Sequence, residues 1–398
     1  MITGEKLTHL GHCEDYILRG ENYIDFVLDI LYNILEFLKG NDTDKRVTVK
    51  IDGCPSVLCA SNFNGKNFIA YKGGFASKEM KIADSEDKVR ELFSKNPDVL
   101  NKMLLLFKYS EMIGIPKNEI WQGDFLYSKK DLKTQIVDGI EYITFQPNTL
   151  IYAIESSDVE AKKVLNSEIG VAWHTKYIGD DLNNLKMSFD VNVENANQCP
   201  TVYQIDGNLP NIESIKLSDN EYNKLKDKLD MISKYCTLIE SDGAYKQFDD
   251  KLIGYIDTLR NAFIKNQGVQ NITVENLIDY LNTTFDNKIG SMKTQRGKDQ
   301  WSDKKNSMLD FINNNIEFFV DVFKTQSMMV ELKETLINKL QQLKFKFNSF
   351  INRSNEYSKS GQEGFVVSDI DGNVCKLVSR LEFSKNNFDN SVIKGWER

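Results

Sequence analysis

The residues around Lys50 are the first candidates for chemistry in this chain. Lys50 lies near the end of an alternating apolar and polar run, Val47-Thr48-Val49-Lys50-Ile51, and Asp52 and Gly53 follow it. This alternation predicts a strand with one buried face. A lysine amine becomes a nucleophile when burial and neighbouring cations lower its pKa enough to free it of its proton. Lys50 is therefore a candidate nucleophile.

Other charged or aromatic residues follow Lys50 at the ends of predicted strands. Downstream of it, a lysine precedes two glycines, an acid follows a glycine, and a tryptophan ends an apolar run. Near the end of the chain come an acid before a glycine and a lysine between apolar residues. In chain order these segments are Tyr71-Lys72-Gly73-Gly74, Gln122-Gly123-Asp124, Val171-Ala172-Trp173, Glu363-Gly364-Phe365-Val366 and Cys375-Lys376-Leu377.

The motifs in this order resemble those of the covalent nucleotidyltransferases, the superfamily of polynucleotide ligases and mRNA capping enzymes. The segments Lys72-Gly73 and Glu363–Val366 are most similar to phage-type RNA ligases. The segments His9–Asp15 and Phe145–Thr149 also resemble an uncharacterised group of tailed-phage proteins. The nucleotidyltransferase resemblance covers about residues 45–180 and 360–380.

The resemblance implies a catalytic role for three residues. Lys50 would attack the α-phosphate of ATP and hold AMP as a phosphoramidate, and Asp52 would orient Lys50. Lys376 would supply positive charge beside the nucleophile and contact phosphate oxygens.

The resemblance also implies a set of nucleotide and metal contacts. Lys72 would bind phosphate, Asp124 would accept the ribose hydroxyls, and Trp173 would stack on the base. Glu363, together with Asp52, would hold Mg²⁺ or Mn²⁺.

Two residues depart from the pattern of the resembled family. The acid that contacts the ribose is usually glutamate, and here it is Asp124. The last lysine strand usually carries a second lysine, and here Val378 stands in that position. Arg380 is the nearby cation that we expect to contact the nucleotide in its place.

Hydrophobic periodicity divides the chain into parts. Strand patterns dominate after a predicted helix over Asn22–Leu38, and helical spacing of apolar residues takes over from Leu217 to Phe350. We expect an α+β fold, a nucleotidyltransferase domain of antiparallel sheets with flanking helices. Its first part is residues 1–214 and its returning strands are residues 353–398, with an all-α insertion over residues 215–352 between them.

The insertion is a candidate RNA-binding element. Few residues follow Lys376, so we expect no C-terminal OB domain to grip a polynucleotide. A predicted loop, Ser291–Lys305, mixes basic residues with a tryptophan, which suits phosphate contact plus stacking. The basic residues expected to bind a structured RNA are Lys293, Arg296, Lys298 and Lys304. The alternative is a solvated connector between helices. Leu340–Phe350 is predicted to be a core-facing helix.

Histidines and acids near the start of the chain have two interpretations. His9, His12, Glu14 and Asp15 are predicted to cap and pack the first helix, and the alternative is a triphosphate or metal contact. His174 is predicted to be hydrogen-bonded in the core rather than catalytic.

Composition limits the class of protein. The formal net charge of −8 argues against a histone-like basic protein, although basic residues confined to one groove still permit nucleic-acid binding. No apolar run approaches ~20 residues, so no membrane span is expected. The six cysteines include no Cys-x-x-Cys pair, which favours free thiols in a reducing cytoplasm, that of the host if the protein is viral.

The sequence therefore predicts an ATP-dependent RNA ligase-like enzyme that transfers AMP through lysine to a 5′-phosphate end. RNA is the favoured partner and DNA an open one. The alternatives are a DNA ligase, a guanylyltransferase, or a non-catalytic phage protein that binds nucleotide or nucleic acid.

Overall fold

The structure, a computed structural model, combines helices with sheets that are mostly antiparallel. It describes residues 11–19, 21–196, 199–209, 212–247, 250–354, 356–369 and 374–395. The expected mixture of helices and antiparallel sheets is confirmed.

The first half of the chain is rich in strands. After a 3₁₀ helix, Cys13–Leu18, its elements are α1 (Glu21–Lys39), β1 (Arg46–Val49), β2 (Ser56–Phe63), β3 (Lys66–Tyr71), α2 (Lys72–Phe75), α3 (Glu86–Phe93), α4 (Pro97–Ile113), β4 (Glu119–Ser128), β5 (Lys133–Val137), β6 (Ile140–Phe145), β7 (Ile151–Glu155), α5 (Val159–Asn166), β8 (Ile169–Ile178), β9 (Lys186–Ser188) and β10 (Val202–Asp206).

The second half is helical and then returns to strands. Its elements are α6 (Asp219–Ser241), α7 (Asp250–Gln267), α8 (Val274–Ser291), α9 (Gln295–Asn314), α10 (Ile316–Leu340), β11 (Asn348–Arg353), β12 (Glu356–Ser360), β13 (Phe365–Ser368), β14 (Val374–Leu377) and α11 (Lys385–Phe388). We call α6 to α10 the helical block.

The described strands form three sheets. The three-stranded sheet has the order β1-β13-β14 and is antiparallel. The six-stranded sheet has the order β10-β8-β4-β2-β3, with β9 also paired to β8, and only its β10–β8 pair is parallel. The five-stranded sheet, β12-β11-β7-β6-β5, is antiparallel and joins strands from both halves of the chain.

Local sequence signals account for several elements. The predicted first helix is confirmed as α1, whose Ile24, Val27 and Leu31 are buried. The β2–β3 hairpin turns at Asn64 and Gly65, which both have positive φ, as a two-residue turn of this kind requires.

The segment after α10 differs from its prediction. The helix ends at Leu340, and residues 348–353 form β11 instead of continuing the helix. Phe347 is buried against Phe145 and Tyr152 of the five-stranded sheet, with ring centroids 5.4 and 5.6 Å away. Packing against these aromatic rings, rather than helical periodicity, determines the local structure here.

The helical block shares its hydrophobic core with the rest of the molecule. Helix α10 packs on α6 and on the 3₁₀ helix, and α6 packs on α1. One continuous cluster of buried apolar side chains includes Ile30 of α1, Leu336 of α10 and Phe365 of β13.

A cluster of buried charges connects the 3₁₀ helix to the helical block. Glu14 is fully buried and accepts two hydrogen bonds from the Lys333 ammonium, at 2.8 and 2.9 Å. Asp15 pairs with Arg260 and Arg380, which are also buried. Burial would raise the pKa of Glu14, but Lys333 and Arg380 outweigh it and lower the pKa to about 2.

The acids near the N-terminus therefore do not play the role that the sequence suggested. Glu14 and Asp15 tie the 3₁₀ helix to the helical block and to Arg380, rather than capping α1. His12 is buried beside this cluster, and burial and nearby cations hold its pKa well below its usual range. His9 lies outside the described residues.

Within the described ranges, no helix is both long and apolar enough to cross a bilayer.

The buried ion pair gives the first prediction. Lys333→Ala leaves the Glu14 carboxylate buried without its main partner, so we expect the free energy of unfolding to fall by about 3–5 kcal/mol. Urea denaturation measures this loss. The matched control is Lys228→Ala, which removes a lysine from a partly exposed pair with Glu331 and is expected to cost less than ~1 kcal/mol. Equal losses in the two variants would contradict the importance assigned to the buried pair.

Candidate active site

A cavity of about 490 Å³ lies between the three-stranded and six-stranded sheets. The three-stranded sheet and the loop that follows β1 contribute polar and charged residues. The six-stranded sheet contributes an acid and an aromatic residue, and other loops complete the lining. Among the lining residues are Arg46, Thr48, Lys50, Asp52, Gly53, Ser56, Lys72, Asp124, Asn148, Trp173, His174, Phe189, Asp206, Asn208, Ser368 and Lys376.

Strand pairing explains why one face of the three-stranded sheet lines this cavity. Thr48 lies opposite Val366, and Val366 lies opposite Lys376, so the three side chains form a row across the sheet. Successive residues of a strand point to opposite faces. The other face is apolar and buried, and it consists of Val47, Val49, Phe365, Val367, Cys375 and Leu377.

The same pairing brings Lys50 next to Glu363. The backbone N–H of Lys50 donates to the carbonyl of Gly364 at 2.9 Å, which extends the β1–β13 ladder by one step. The Lys50 ammonium then donates to Glu363 Oε1 at 2.7 Å and to Asp52 Oδ1 at 3.0 Å. Two residues separated by 313 positions in sequence are thus in direct contact.

Gly364 permits the close packing of this corner. Its φ of +155° is unfavourable for other residues, and a Cβ here would meet the Leu377 carbonyl of β14. The Glu-Gly order of the sequence motif therefore has a steric reason at this position.

Asp52 is held in place by two neighbours from the five-stranded sheet region. The Asn148 amide donates to its second carboxylate oxygen, and the backbone N–H of Asp52 donates to the Tyr152 hydroxyl at 2.7 Å. Asn148 belongs to the segment Phe145–Thr149, which sequence reasoning singled out without assigning it a role.

The charge state of Lys50 corrects one expectation. Burial alone would lower the pKa of Lys50, but the carboxylates of Asp52 and Glu363 outweigh it and raise the pKa above its usual value. The amine is therefore held as an ammonium in this state. We expected neighbouring cations to lower the pKa of Lys50, but these two acids have the larger effect on it.

Two acids of the site have raised pKa values. Burial and the nearby Asp52 raise the pKa of Glu363 to about 7, against the opposing pull of Lys50. The same causes raise the pKa of Asp124 to about 7. Ionised acids so close together repel each other in a poorly hydrated site.

Asp124 lies in the middle of β4, against the loop that follows Lys50. A Cβ on Gly53 would lie 2.9 Å from the Asp124 Cβ and 2.6 Å from the Phe125 carbonyl oxygen, so only glycine fits in this loop. The carboxylate of Asp124 is mostly buried and lines the cavity.

Strand β8 is irregular where it reaches the cavity. Gln122 pairs with Thr175 and Gly123 with Trp173, so His174 is the extra residue of a bulge. Trp173 and His174 are both among the residues that line the cavity. The prediction that His174 lies in the core is therefore wrong, because its side chain is exposed to the cavity. Its Nδ1 lies 2.7 Å from the Thr175 hydroxyl.

Trp173 forms part of the wall rather than an open stacking surface. Its side chain is 1% exposed, its indole N–H donates to Gln204 at 2.9 Å, and its ring packs edge-on against Trp121. Phe189, which sequence reasoning missed, is a second aromatic residue of the cavity lining.

Lys72 and Lys376 both line the cavity, from the start of α2 and from β14. Burial lowers the pKa of each lysine, and Lys50 lowers it further. Lys376 is fixed by its backbone N–H, which donates to the Gly11 carbonyl at 3.2 Å.

The structure places Arg380 elsewhere. Arg380 is buried with Asp15 and Glu14 and is not among the described residues that line the cavity. Arg46 is the arginine that the cavity contains. It is oriented by Asn208, Asp190 and the Val191 carbonyl.

The helical block contributes none of the described residues that line this cavity. The predicted loop over Ser291–Lys305 is also mostly helix, because α8 ends at Ser291 and α9 begins at Gln295. Arg296, Lys298 and Lys304 lie on α9, and Lys293 lies in the short connection before it.

The chain belongs to a family of unknown function, DUF6267, whose model matches residues 7–392. A search of the curated proteins and a search of the solved structures both give no match.

The raised pKa of Asp124 gives a prediction about pH. Because the folded state binds this proton more tightly than the unfolded state, the stabilisation is complete below about pH 4 and is lost as pH rises through about 7. Asp124→Asn removes this titration. Thermal unfolding at pH 5 and pH 8 should therefore show a smaller loss of stability at the higher pH in Asp124→Asn than in the parent.

The control for this experiment is Asp310→Asn, which changes an exposed aspartate of α9 and should leave the parent's pH dependence unchanged. If the parent and Asp124→Asn lose the same stability between pH 5 and pH 8, the pKa of Asp124 is not raised in the folded state as described.

Proposed function

We propose that this protein is an RNA ligase-like nucleotidyltransferase that uses ATP to form lysyl-AMP on Lys50 and passes the AMP to a 5′-phosphate end. The observation that carries the proposal is the contact between Lys50 and Glu363 at the edge of a cavity that Lys72, Asp124 and Lys376 also line. The sequence motifs select the same five residues.

The first step forms one bond and breaks another. Lys50 Nζ attacks the α-phosphorus of ATP, the P–N bond forms, and the bond from that phosphorus to the oxygen bridging to the β-phosphate breaks. Pyrophosphate leaves with that electron pair. The ammonium gives up one proton before attack and the nitrogen a second as the phosphoramidate forms, and both go to solvent.

The cations of the cavity suit a bound triphosphate. Lys72, Lys376 and Arg46 present positive charge to its oxygens, and preorganised charge of this kind stabilises the transition state. Arg380 acts on this site through its electrostatic effect on Lys376 rather than by direct contact.

The opposite wall suits the nucleoside. Asp124 would accept hydrogen bonds from the ribose hydroxyls, and Trp173 with Phe189 would form an aromatic wall beside the base.

The acids beside Lys50 fit a divalent cation of the Mg²⁺ type. No three His, Cys, Asp or Glu side chains in the described part of the chain form a complete metal-binding group. Mg²⁺ usually binds one or two carboxylates together with substrate phosphates and water, and Glu363 and Asp52 converge in this way on Lys50. A bound cation would offset the charge of the triphosphate.

A second candidate function follows from the ion pairs of Lys50. An ammonium held between two carboxylates is a poor nucleophile, and the same cavity would bind a nucleotide without reacting. The rival is therefore a non-catalytic nucleotide-binding protein.

Labelling with nucleotide separates these candidates. Incubation with ATP labelled at the α-phosphate and Mg²⁺ should give a labelled protein band, and GTP should label it more weakly. Lys50→Ala and Lys50→Arg should abolish the band, since arginine does not lose its proton at accessible pH. The control Lys66→Arg, at the exposed start of β3, should label like the parent. A protein that binds ATP but is never labelled supports the rival.

The metal ligand gives a separate prediction. Glu363→Gln should slow adduct formation by about 100-fold or more, because it removes a carboxylate from the cation and from Lys50. Single-turnover labelling at several Mg²⁺ concentrations measures this rate. Glu356→Gln, an exposed acid on the neighbouring β12, should react at the parental rate. Undiminished labelling in Glu363→Gln, or in excess chelator, would show that Glu363 has only a structural role.

A further inference from the structure

A second large cavity lies in the helical block, apart from the cavity around Lys50. It has a volume of about 590 Å³ and lies between α7, α8 and α9. Cavities of roughly 300–1,000 Å³ are typical of small-ligand sites. We call it the helical groove.

The helical groove combines aromatic rings with lysines. Trp301 packs against Phe285 at 5.9 Å between ring centroids, and Phe285 packs against Tyr255 at 5.6 Å. The Lys304 ammonium lies 4.5 Å from the centre of the Trp301 ring. Lys251 adds a second exposed lysine to the lining.

The lining of the groove carries more positive than negative charge although the chain is acidic. The chain has a formal net charge of −8. The groove is instead lined by two lysines, Lys251 and Lys304, and one acid, Asp303. Four further cations lie in the adjoining end of the α8–α9 hairpin with no acid between them, namely Lys288, Lys293, Arg296 and Lys298. An anionic ligand is therefore favoured here.

We propose that the helical groove binds an unpaired stretch of the nucleic-acid substrate, with a base against Trp301 and the adjacent phosphates on Lys304 and Lys251. Aromatic rings that accept bases, together with cations that follow the backbone, are the general means of binding single strands. The proposal rests on the proposed function and names its substrate as single-stranded. It also replaces the expected loop contact with structured RNA by a groove between helices.

The proposal explains why the groove needs both kinds of residue. Each base has an aromatic face, so stacking on Trp301 would tolerate any sequence. Phosphate contacts with Lys304 and Lys251 would add affinity that falls with salt, because each contact releases condensed counterions.

Fluorescence anisotropy with labelled 12-nucleotide strands tests this proposal. The parent is expected to bind single-stranded RNA or DNA more tightly than duplex RNA of the same length. Trp301→Leu keeps an apolar contact with Phe285 but removes the stacking surface, and it should weaken binding about tenfold. Lys304→Gln should reduce the slope of log affinity against log salt by about one unit.

The control is Lys234→Gln, an exposed lysine of α6 outside the groove, which should bind like the parent. Labelling of Lys50 with ATP should be unchanged in all of these variants. If the parent is not labelled, the proposed function is wrong. The anisotropy measurements test binding in the groove independently of that result.

Four results would overturn the groove proposal. The first is a parent that binds no single strand at ~50 mM salt. The second is equal binding by the parent, Trp301→Leu and Lys304→Gln. The third is a preference for duplex RNA. The fourth is displacement of the single strand by an acidic peptide as readily as by an unlabelled strand.

Discussion

The antiparallel ladder between β1 and β13 is the interaction on which the candidate active site depends. The bond from the Lys50 N–H to the Gly364 carbonyl joins a strand near the start of the chain to one near its end. Without that register, Glu363 has no reason to lie beside Lys50. The ladder therefore determines both the charge on Lys50 and the position of the pair of acids available to a cation.

The position of β14, which carries Lys376, depends on a second interaction, its contact with the 3₁₀ helix. The 3₁₀ helix covers this strand, because Cys13 Sγ contacts Cys375 Sγ at 3.1 Å and the Tyr16 hydroxyl donates to the Val374 carbonyl at 3.3 Å. The 3₁₀ helix is in turn held by the buried charges of the helical block. The block is therefore part of the support for the cavity, even though none of its described residues lines it.

Much of the fold was predictable where a local signal coincides with the packing. Helix α1 follows from dense apolar residues at helical spacing, and the β2–β3 hairpin follows from Asn64 and Gly65. The helix predicted over Leu340–Phe350 was wrong because its apolar residues also fit a chain that packs Phe347 into a sheet. Short apolar runs do not distinguish these two outcomes.

The candidate site likewise combines residues that the sequence predicted with residues that it did not. Motif order identified Lys50, Lys72, Asp124 and Lys376, all of which line one cavity. His174 was expected in the core, but it is the extra residue of a bulge in β8 and lines the cavity, and nothing in the local sequence marks that bulge. The contacts of Arg380 with the charge cluster were likewise invisible in sequence, because they depend on a partner far along the chain.

The proposed function depends on Lys50 acting as the nucleophile. The most direct measurement is peptide mapping by tandem mass spectrometry after incubation with ATP and Mg²⁺. We expect one peptide heavier by a single AMP, with the added mass located on Lys50. An unmodified Lys50 in a protein that has demonstrably bound ATP, or AMP located on another lysine, would contradict it.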